Sequence, residues 1–101
     1  MEERNFHFHD GKKGAALAVQ LVPRGKKIEL VKVRKDGTIL VHIPNEYAGD
    51  NQVLIDFFAR LLAVNKQKIN IIAGKDRYEK LISILDHKPA DIQRKIFALL
   101  P

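Results

Sequence analysis

The sequence predicts an α+β fold, in which two helices cover one face of a mostly antiparallel sheet to form a two-layer sandwich. The central segment has one apolar helical stripe. Segments with alternating apolar residues lie on both sides of it, and a shorter helical pattern ends the chain. Helices with one apolar stripe and strands with one apolar face bury these surfaces by packing them together. The stripe of the central segment consists of Leu54, Phe57, Phe58, Leu61 and Leu62.

Residues 1–13 are predicted to form a polar N-terminal arm, and residues 14–101 a single α+β domain. In the arm, two phenylalanines alternate with His7 and His9, a pattern that a short strand would place on opposite sides. A stable metal site needs three or four ligands, and no other histidine is close in sequence. We therefore predict no metal site in the arm.

The first half of the domain contains three predicted strands. The first ends at Pro23, and its apolar face consists of Ala15, Leu17, Val19 and Leu21. Residues 29–34 and 38–43 are predicted to form a hairpin, because the Asp36-Gly37 pair between them is a strong turn signal. We expect His42, which alternates with apolar residues of the third strand, to face solvent.

Residues 50–64 are predicted to form the central helix. Asp50 or Asn51 can accept the free amide protons of its first turn. Asn65 is expected to end it, because asparagine tolerates the left-handed conformation that often follows a helix.

The last part of the chain is predicted to form a strand pair and a second helix. Residues 68–73 and 78–85 are joined by a short turn at residues 74–77, which favours antiparallel pairing. Pro89 suits the first turn of a helix over residues 90–100. The apolar residues at helical spacing in this segment are Ile92, Ile96 and either Leu99 or Leu100.

The composition is typical of a globular protein, with 46% hydrophobic and 30% charged residues in a chain of 101. No apolar run approaches the roughly 18 residues that a membrane helix requires, so no membrane partner is predicted. The first residues lack the basic start and apolar run of a secretory signal, and the chain has no cysteine. A cytoplasmic location is therefore predicted.

A set of residues distributed along the domain forms a family-like pattern. Pro23 closes the first strand, Pro44 precedes a polar loop, Asn51 opens a helix reading LIDFF, and Gly74 is followed six residues later by Lys80. In order and spacing these features resemble the small uncharacterised proteins typified by the bacterial protein YggU. The resemblance extends over most of the domain and implies a mostly antiparallel sheet with two helices on one face. It implies no activity, because that family has no assigned function.

Side chains suited to nucleophilic catalysis are scarce. The chain has no cysteine, one serine (Ser83) and one threonine (Thr38), so Ser-His and Cys-His mechanisms have little material. Its six glycines form no phosphate-binding loop, and no carboxylate pair is evident for acid–base catalysis. We predict no catalytic residue, no cofactor and no metal ligand. An enzyme acting on a small anionic substrate is the third hypothesis for function.

Side chains that could bind an anion are predicted to gather at one edge of the sheet. Asn51 begins the central helix, whose N-terminus presents positive potential, and Lys80 is expected to emerge nearby on the helix side of the sheet. The predicted binding residues are Arg24, Lys26, Lys27, Tyr47, Asn51, Gly74, Arg77 and Lys80. In the structural alternative, Asn51 caps its own loop and Lys80 binds loop carbonyl groups.

The first hypothesis for function is a binding module for an anionic partner, with RNA as the leading candidate. The net charge is +6, and residues 24–35 include six basic side chains. Phosphate contacts by such residues would make the affinity fall steeply with salt. Recognition of single strands also uses exposed aromatic residues, for which Tyr47 and Tyr78 are the available candidates.

The alternative hypothesis is a protein-interaction or accessory domain. Its uncovered sheet face would bind another chain through an apolar patch. The predicted apolar residues of that face are Leu40, Leu81 and Leu85.

Overall fold

The chain folds as a five-stranded, mostly antiparallel sheet with two helices on one face, which confirms the predicted fold class. The structure, a computed structural model, describes residues 14–101. The histidine-containing strand considered for the N-terminal arm lies outside the described residues. The strands are β1 (Gly14–Pro23), β2 (Glu29–Val33), β3 (Ile39–Ile43), β4 (Ile69–Ala73) and β5 (Glu79–Leu85). The helices are α1 (Asn51–Leu62) and α2 (Pro89–Leu99).

β1 is the central strand of the sheet, whose order is β2-β3-β1-β5-β4. Both predicted hairpins are confirmed, because β2 pairs antiparallel with β3, and β4 pairs antiparallel with β5. β1 joins the two hairpins. It pairs antiparallel with β5 through residues 14–20 and parallel with β3 through residues 19–23. The two hairpins are therefore offset along the strand direction.

The turn between β2 and β3 forms at the predicted Asp36-Gly37 pair. Gly37 has a φ of +92°, a value that glycine adopts without a steric cost. Its N–H donates to the Arg34 carbonyl oxygen over 2.9 Å, and the Asp36 carboxylate accepts from the Thr38 N–H over 2.9 Å. These bonds close the hairpin after a short loop, as the sequence signal predicted.

The core lies between the sheet and the helices, and it is built from alternate residues of the strands. The predicted apolar face of β1 is buried in full. Alternate residues of β4 and β5 are buried in the same way. Core residues from the other strands are Ile39, Val41, Ile43, Ile69, Ile71, Ile82 and Ile84.

Helix α1 packs its predicted stripe against this core, with Leu54, Phe57, Phe58 and Leu62 buried and Leu61 partly buried. The rings of the two phenylalanines meet edge to face, with centroids 5.2 Å apart.

The cap at the start of α1 was predicted correctly, but the residue that ends the helix was not. At the start, the Asp50 carboxylate accepts hydrogen bonds from the N–H groups of Gln52 and Val53. At the end, Ala63 and not Asn65 adopts the left-handed conformation, with φ of 57°. The predicted cap at Asn65 is therefore wrong, and this side chain instead accepts from the Gln67 N–H.

Helix α2 begins at Pro89, as predicted, and buries Ile92 and Ile96. Of the two alternatives for its last core position, Leu99 is 46% exposed, whereas Leu100, which follows the helix, is partly buried. The Lys95 ammonium donates to the carbonyl oxygen of Leu62 at the end of α1, which connects the helices. Neither helix of the described chain has the length and apolar character needed to cross a membrane.

Candidate functional site

Three loops meet at one end of the sheet, and we call them together the loop end: residues 24–28, 44–50 and 74–78. The Arg24 N–H donates to the Ile43 carbonyl oxygen over 2.8 Å, which joins the first loop to the second. The Leu21 N–H donates to the Tyr78 carbonyl oxygen over 2.8 Å, which joins β1 to the third. The offset of the hairpins thus brings together segments that are far apart in sequence.

Lys80 and Asn51 converge on the turn at Gly74 and Lys75. The Lys80 ammonium donates to the carbonyl oxygens of both turn residues, over 3.0 and 2.9 Å. The Asn51 amide donates to the Lys75 carbonyl oxygen over 3.1 Å. Lys80 therefore binds loop carbonyl groups, as the structural alternative predicted. Asn51 does not cap its own loop, because its amide holds the neighbouring turn and Asp50 caps helix α1.

The environment of Lys80 is unusual for a charged group, because only 5% of the residue is exposed. Burial lowers the pKa of the Lys80 ammonium, and the nearby negative charge of Asp76 opposes this shift. The Asn51 side-chain oxygen is also buried and has no hydrogen-bond partner within residues 14–101. The interior of this turn is therefore polar and closely packed.

Gly74 is required by the shape of the same turn. Its φ is +76°, and a Cβ atom at this position would lie 2.1 Å from the Glu79 carbonyl oxygen. No other residue fits without displacing the start of β5. Gly74, Asn51 and Lys80 therefore set the position of the turn that presents Lys75, Arg77 and Tyr78.

The remaining predicted site residues are exposed at the loop end. Tyr47 is 44% exposed on a short 3-10 helix (Asn45–Tyr47), and Tyr78, in the third loop of the loop end, is 49% exposed. The predicted set thus divides into three residues that hold a turn and five with side chains directed to solvent. The five are Arg24, Lys26, Lys27, Tyr47 and Arg77.

The basic side chains of residues 24–35 form a stripe that begins at the loop end and follows the edge strand β2 to its turn with β3. All six are exposed. One carboxylate interrupts the run and another follows it: Glu29 lies 3.9 Å from the His42 ring, and the Asp36 carboxylate accepts from the Thr38 N–H. Members of this basic stripe are Arg24, Lys26, Lys27, Lys32, Arg34 and Lys35. The last three were not among the predicted site residues, although the charge run in the sequence contained them.

The open face, which is the sheet surface opposite the helices, has a groove of about 340 Å³ beside the basic stripe. Its lining includes Ala18 and Gln20 from β1, Glu79 from β5 and Arg34 from the stripe. Sequence reasoning missed this groove because its residues come from four separate segments. In residues 14–101, no three His, Asp or Glu side chains are close enough to share a metal ion.

No model of a known protein family matches this chain. The resemblance to the YggU proteins therefore stays a prediction.

Proposed function

We propose that this protein is a non-catalytic binding module for single-stranded RNA, which contacts the basic stripe. The observation that carries the proposal is the exposure of all six basic side chains of residues 24–35, which lie in the loop before the edge strand β2, on β2 and in the turn after it. A five-residue strand is about 17 Å long, so the stripe is long enough to contact several phosphates. No ion pair joins these six side chains to another residue of the described chain.

Two exposed aromatic side chains favour single-stranded RNA over duplex RNA as the ligand. Tyr47 and Tyr78 are both at the loop end, where the basic stripe begins. Bases of a single strand stack on such rings, and each stacked base contributes about 1–3 kcal/mol. Phosphate contacts along the stripe and stacking at the loop end would then act on the same strand.

Binding without catalysis is proposed because the hydroxyl side chains are poorly placed for a nucleophile. Ser83 is buried between Ala16 and Asn70 of the neighbouring strands. Thr38 lies in the β2–β3 turn, where its backbone N–H donates to the Asp36 carboxylate and no histidine is next to it in the turn. The cytoplasm is the proposed location, where RNA is available as a ligand.

The test is fluorescence anisotropy of a labelled oligonucleotide over a series of salt concentrations. If three to six phosphates are contacted, the logarithm of the association constant should fall against the logarithm of salt with a slope between about −2 and −4. Neutralising Lys26, Lys27 and Lys32 together by substitution with glutamine should weaken binding and make this slope shallower by about 2.

The matched control replaces Lys66, Lys88 and Arg94 with glutamine, which removes the same charge from exposed side chains away from the stripe. This control should keep the slope of the wild type. Equal losses in the two triple variants would show only a non-specific effect of net charge. Binding that does not respond to salt would also contradict the proposal.

A second candidate function is protein interaction through the open face. Leu40, Leu81 and Leu85 are only partly buried there, and Ile72 on the edge strand β4 is 45% exposed. Sedimentation at several protein concentrations tests this candidate in its simplest form, self-association. A protein that stays monomeric and binds RNA with the expected salt dependence would favour the first function.

A further inference from the structure

The groove on the open face has an apolar floor and polar walls. Ala18 and Leu81, which are cross-strand neighbours on β1 and β5, form the floor. Gln20 and Glu79 form the next cross-strand pair on the same face, and Arg34 from the β2–β3 turn lies on the other side. Its volume of about 340 Å³ is near the lower end of the range for small-molecule sites, roughly 300–1,000 Å³.

The two carboxylates of the groove differ in how they are engaged. Asp36 accepts the Thr38 N–H, and this hydrogen bond holds the pKa of its carboxyl group below the ordinary value. Glu79 is exposed and makes no ion pair or side-chain hydrogen bond within residues 14–101. A free carboxylate has two oxygens and can accept two parallel hydrogen bonds from one ligand.

We infer that the groove binds the base of one unpaired guanosine of the RNA strand, with the Glu79 carboxylate as acceptor; this inference rests on the proposed function. Guanine presents two adjacent donors, N1–H and N2–H, on its Watson–Crick edge, which single-stranded recognition commonly uses. Adenine and cytosine place an acceptor beside their amino group, and uracil has acceptors on both sides of its single donor. In those bases an acceptor would face the carboxylate and repel it. Glu79 therefore selects guanine.

The other groove residues fit the same ligand. The Gln20 amide, directly across from Glu79, can donate to the guanine O6 atom. Ala18 and Leu81 provide an apolar surface for the flat side of the base. Arg34 belongs both to the groove and to the basic stripe, so the phosphate adjoining the bound guanosine would meet its guanidinium.

The experiment compares oligouridine strands that differ only in one central base, which is guanine, adenine or inosine. Anisotropy at one low salt concentration gives the three affinities. The wild type should bind the guanine strand at least about fivefold more tightly than the adenine strand, the lower end of discrimination by a bidentate contact. Inosine keeps N1–H but lacks the 2-amino group, so the inosine strand should lose most of this preference.

Glu79→Gln should abolish the guanine preference and leave the affinity for the adenine strand unchanged or slightly higher. Glu46→Gln is the matched control, because it neutralises another exposed carboxylate, outside the groove, and should keep the preference. Salt-dependent RNA binding without a guanine preference, or a preference that survives in Glu79→Gln, overturns this inference alone. If no strand binds, the proposed function fails together with it.

Discussion

Lys80 places an amino group in the interior, where it donates to two backbone carbonyl oxygens that also accept from the Arg77 N–H and the Asn51 amide. Its pKa is lowered because burial disfavours the charged form. The carbonyl oxygens of Gly74 and Lys75 accept its hydrogen bonds and partly offset this cost. The side chain therefore acts as a fixed connection between β5 and the turn that precedes it.

Lys80→Met should lower the free energy of unfolding by about 1–3 kcal/mol, because it keeps the apolar stem but removes the two hydrogen bonds that the ammonium donates to the Gly74 and Lys75 carbonyl oxygens. Urea unfolding monitored by circular dichroism measures the change. Lys88→Met, at an exposed position, should change stability by no more than about 0.5 kcal/mol. A Lys80→Met variant as stable as this control would show that the turn needs no side-chain donor.

Asp36 provides a pH-dependent contribution to stability in an exposed turn. Its hydrogen bonds with Thr38, and secondarily the charge of Arg34, hold the pKa of its carboxyl group below the ordinary value of 3.8. The unfolded chain therefore binds this proton more readily than the folded chain does. The contribution is present above pH 3.8 and is lost as the pH falls through the lower folded-state pKa.

Asp36→Ala should consequently be less stable than the wild type at neutral pH, and the difference should disappear in strong acid. Thermal unfolding midpoints of both proteins across this pH range test the expectation. A difference that stays constant with pH would mean that the ionised carboxylate does not stabilise the turn.

At the scale of the element, the turn between β4 and β5 depends on glycine for two separate reasons. Gly74 has a positive φ, and it also lies against the Glu79 carbonyl group. Gly25 has a positive φ of 86°, but a Cβ there would have only one neighbour, the Lys27 carbonyl oxygen at 4.0 Å. Comparing alanine substitutions at Gly25 and Gly74 therefore separates the cost of the backbone conformation from the cost of the close contact.

Gly25→Ala should destabilise the protein by about 1–2 kcal/mol, the cost of a left-handed conformation for a residue with a Cβ. Gly74→Ala should cost about 2–5 kcal/mol, because overpacking adds roughly 1–3 kcal/mol. Chemical denaturation of the two variants measures the difference. Equal effects would show that the turn shifts freely to accommodate the methyl group.

The ends of α1 illustrate what local sequence predicts at this scale. Asp50 was an expected cap, because a carboxylate can accept the free amide protons of a first turn without help from the rest of the fold. Asn65 does not adopt the left-handed conformation that ends helix α1. Val64 is buried, and the chain turns at the preceding residue, Ala63. Burial of one apolar side chain thus overrode the preference of asparagine.

At the scale of the whole molecule, packing of α1 onto the sheet stabilises the fold by burying four of its side chains. Phe58 is fully buried, whereas Phe97 on α2 is 50% exposed, although both are phenylalanines on amphipathic helices. Phe58→Ala should cost about 3–5 kcal/mol, because it removes a buried ring and leaves a cavity. Phe97→Ala should cost well under half of that. Calorimetry of the two variants measures their losses of stability, and similar losses would contradict the packing described.

The whole-molecule arrangement also explains why the candidate site was only partly predicted. Asn51, Gly74 and Lys80 were selected from sequence, and the structure brings them together at the β4–β5 turn, where Asn51 and Lys80 both donate to the Lys75 carbonyl oxygen. The groove was missed because Ala18, Glu79 and Arg34 become neighbours only when the turn of one hairpin lies beside the other hairpin. No local pattern encodes that offset.

The sequence by itself determined the number and type of elements, the two hairpins and the apolar faces, since periodicity and turn residues act over a few neighbouring positions. Only the tertiary structure decided that β1 lies in the centre, pairing in parallel with β3 and antiparallel with β5. It also decided that Lys80 points to its own turn and that Glu79 is left free on the open face. These outcomes depend on pairing between distant segments, where burial and register are settled jointly by the whole chain.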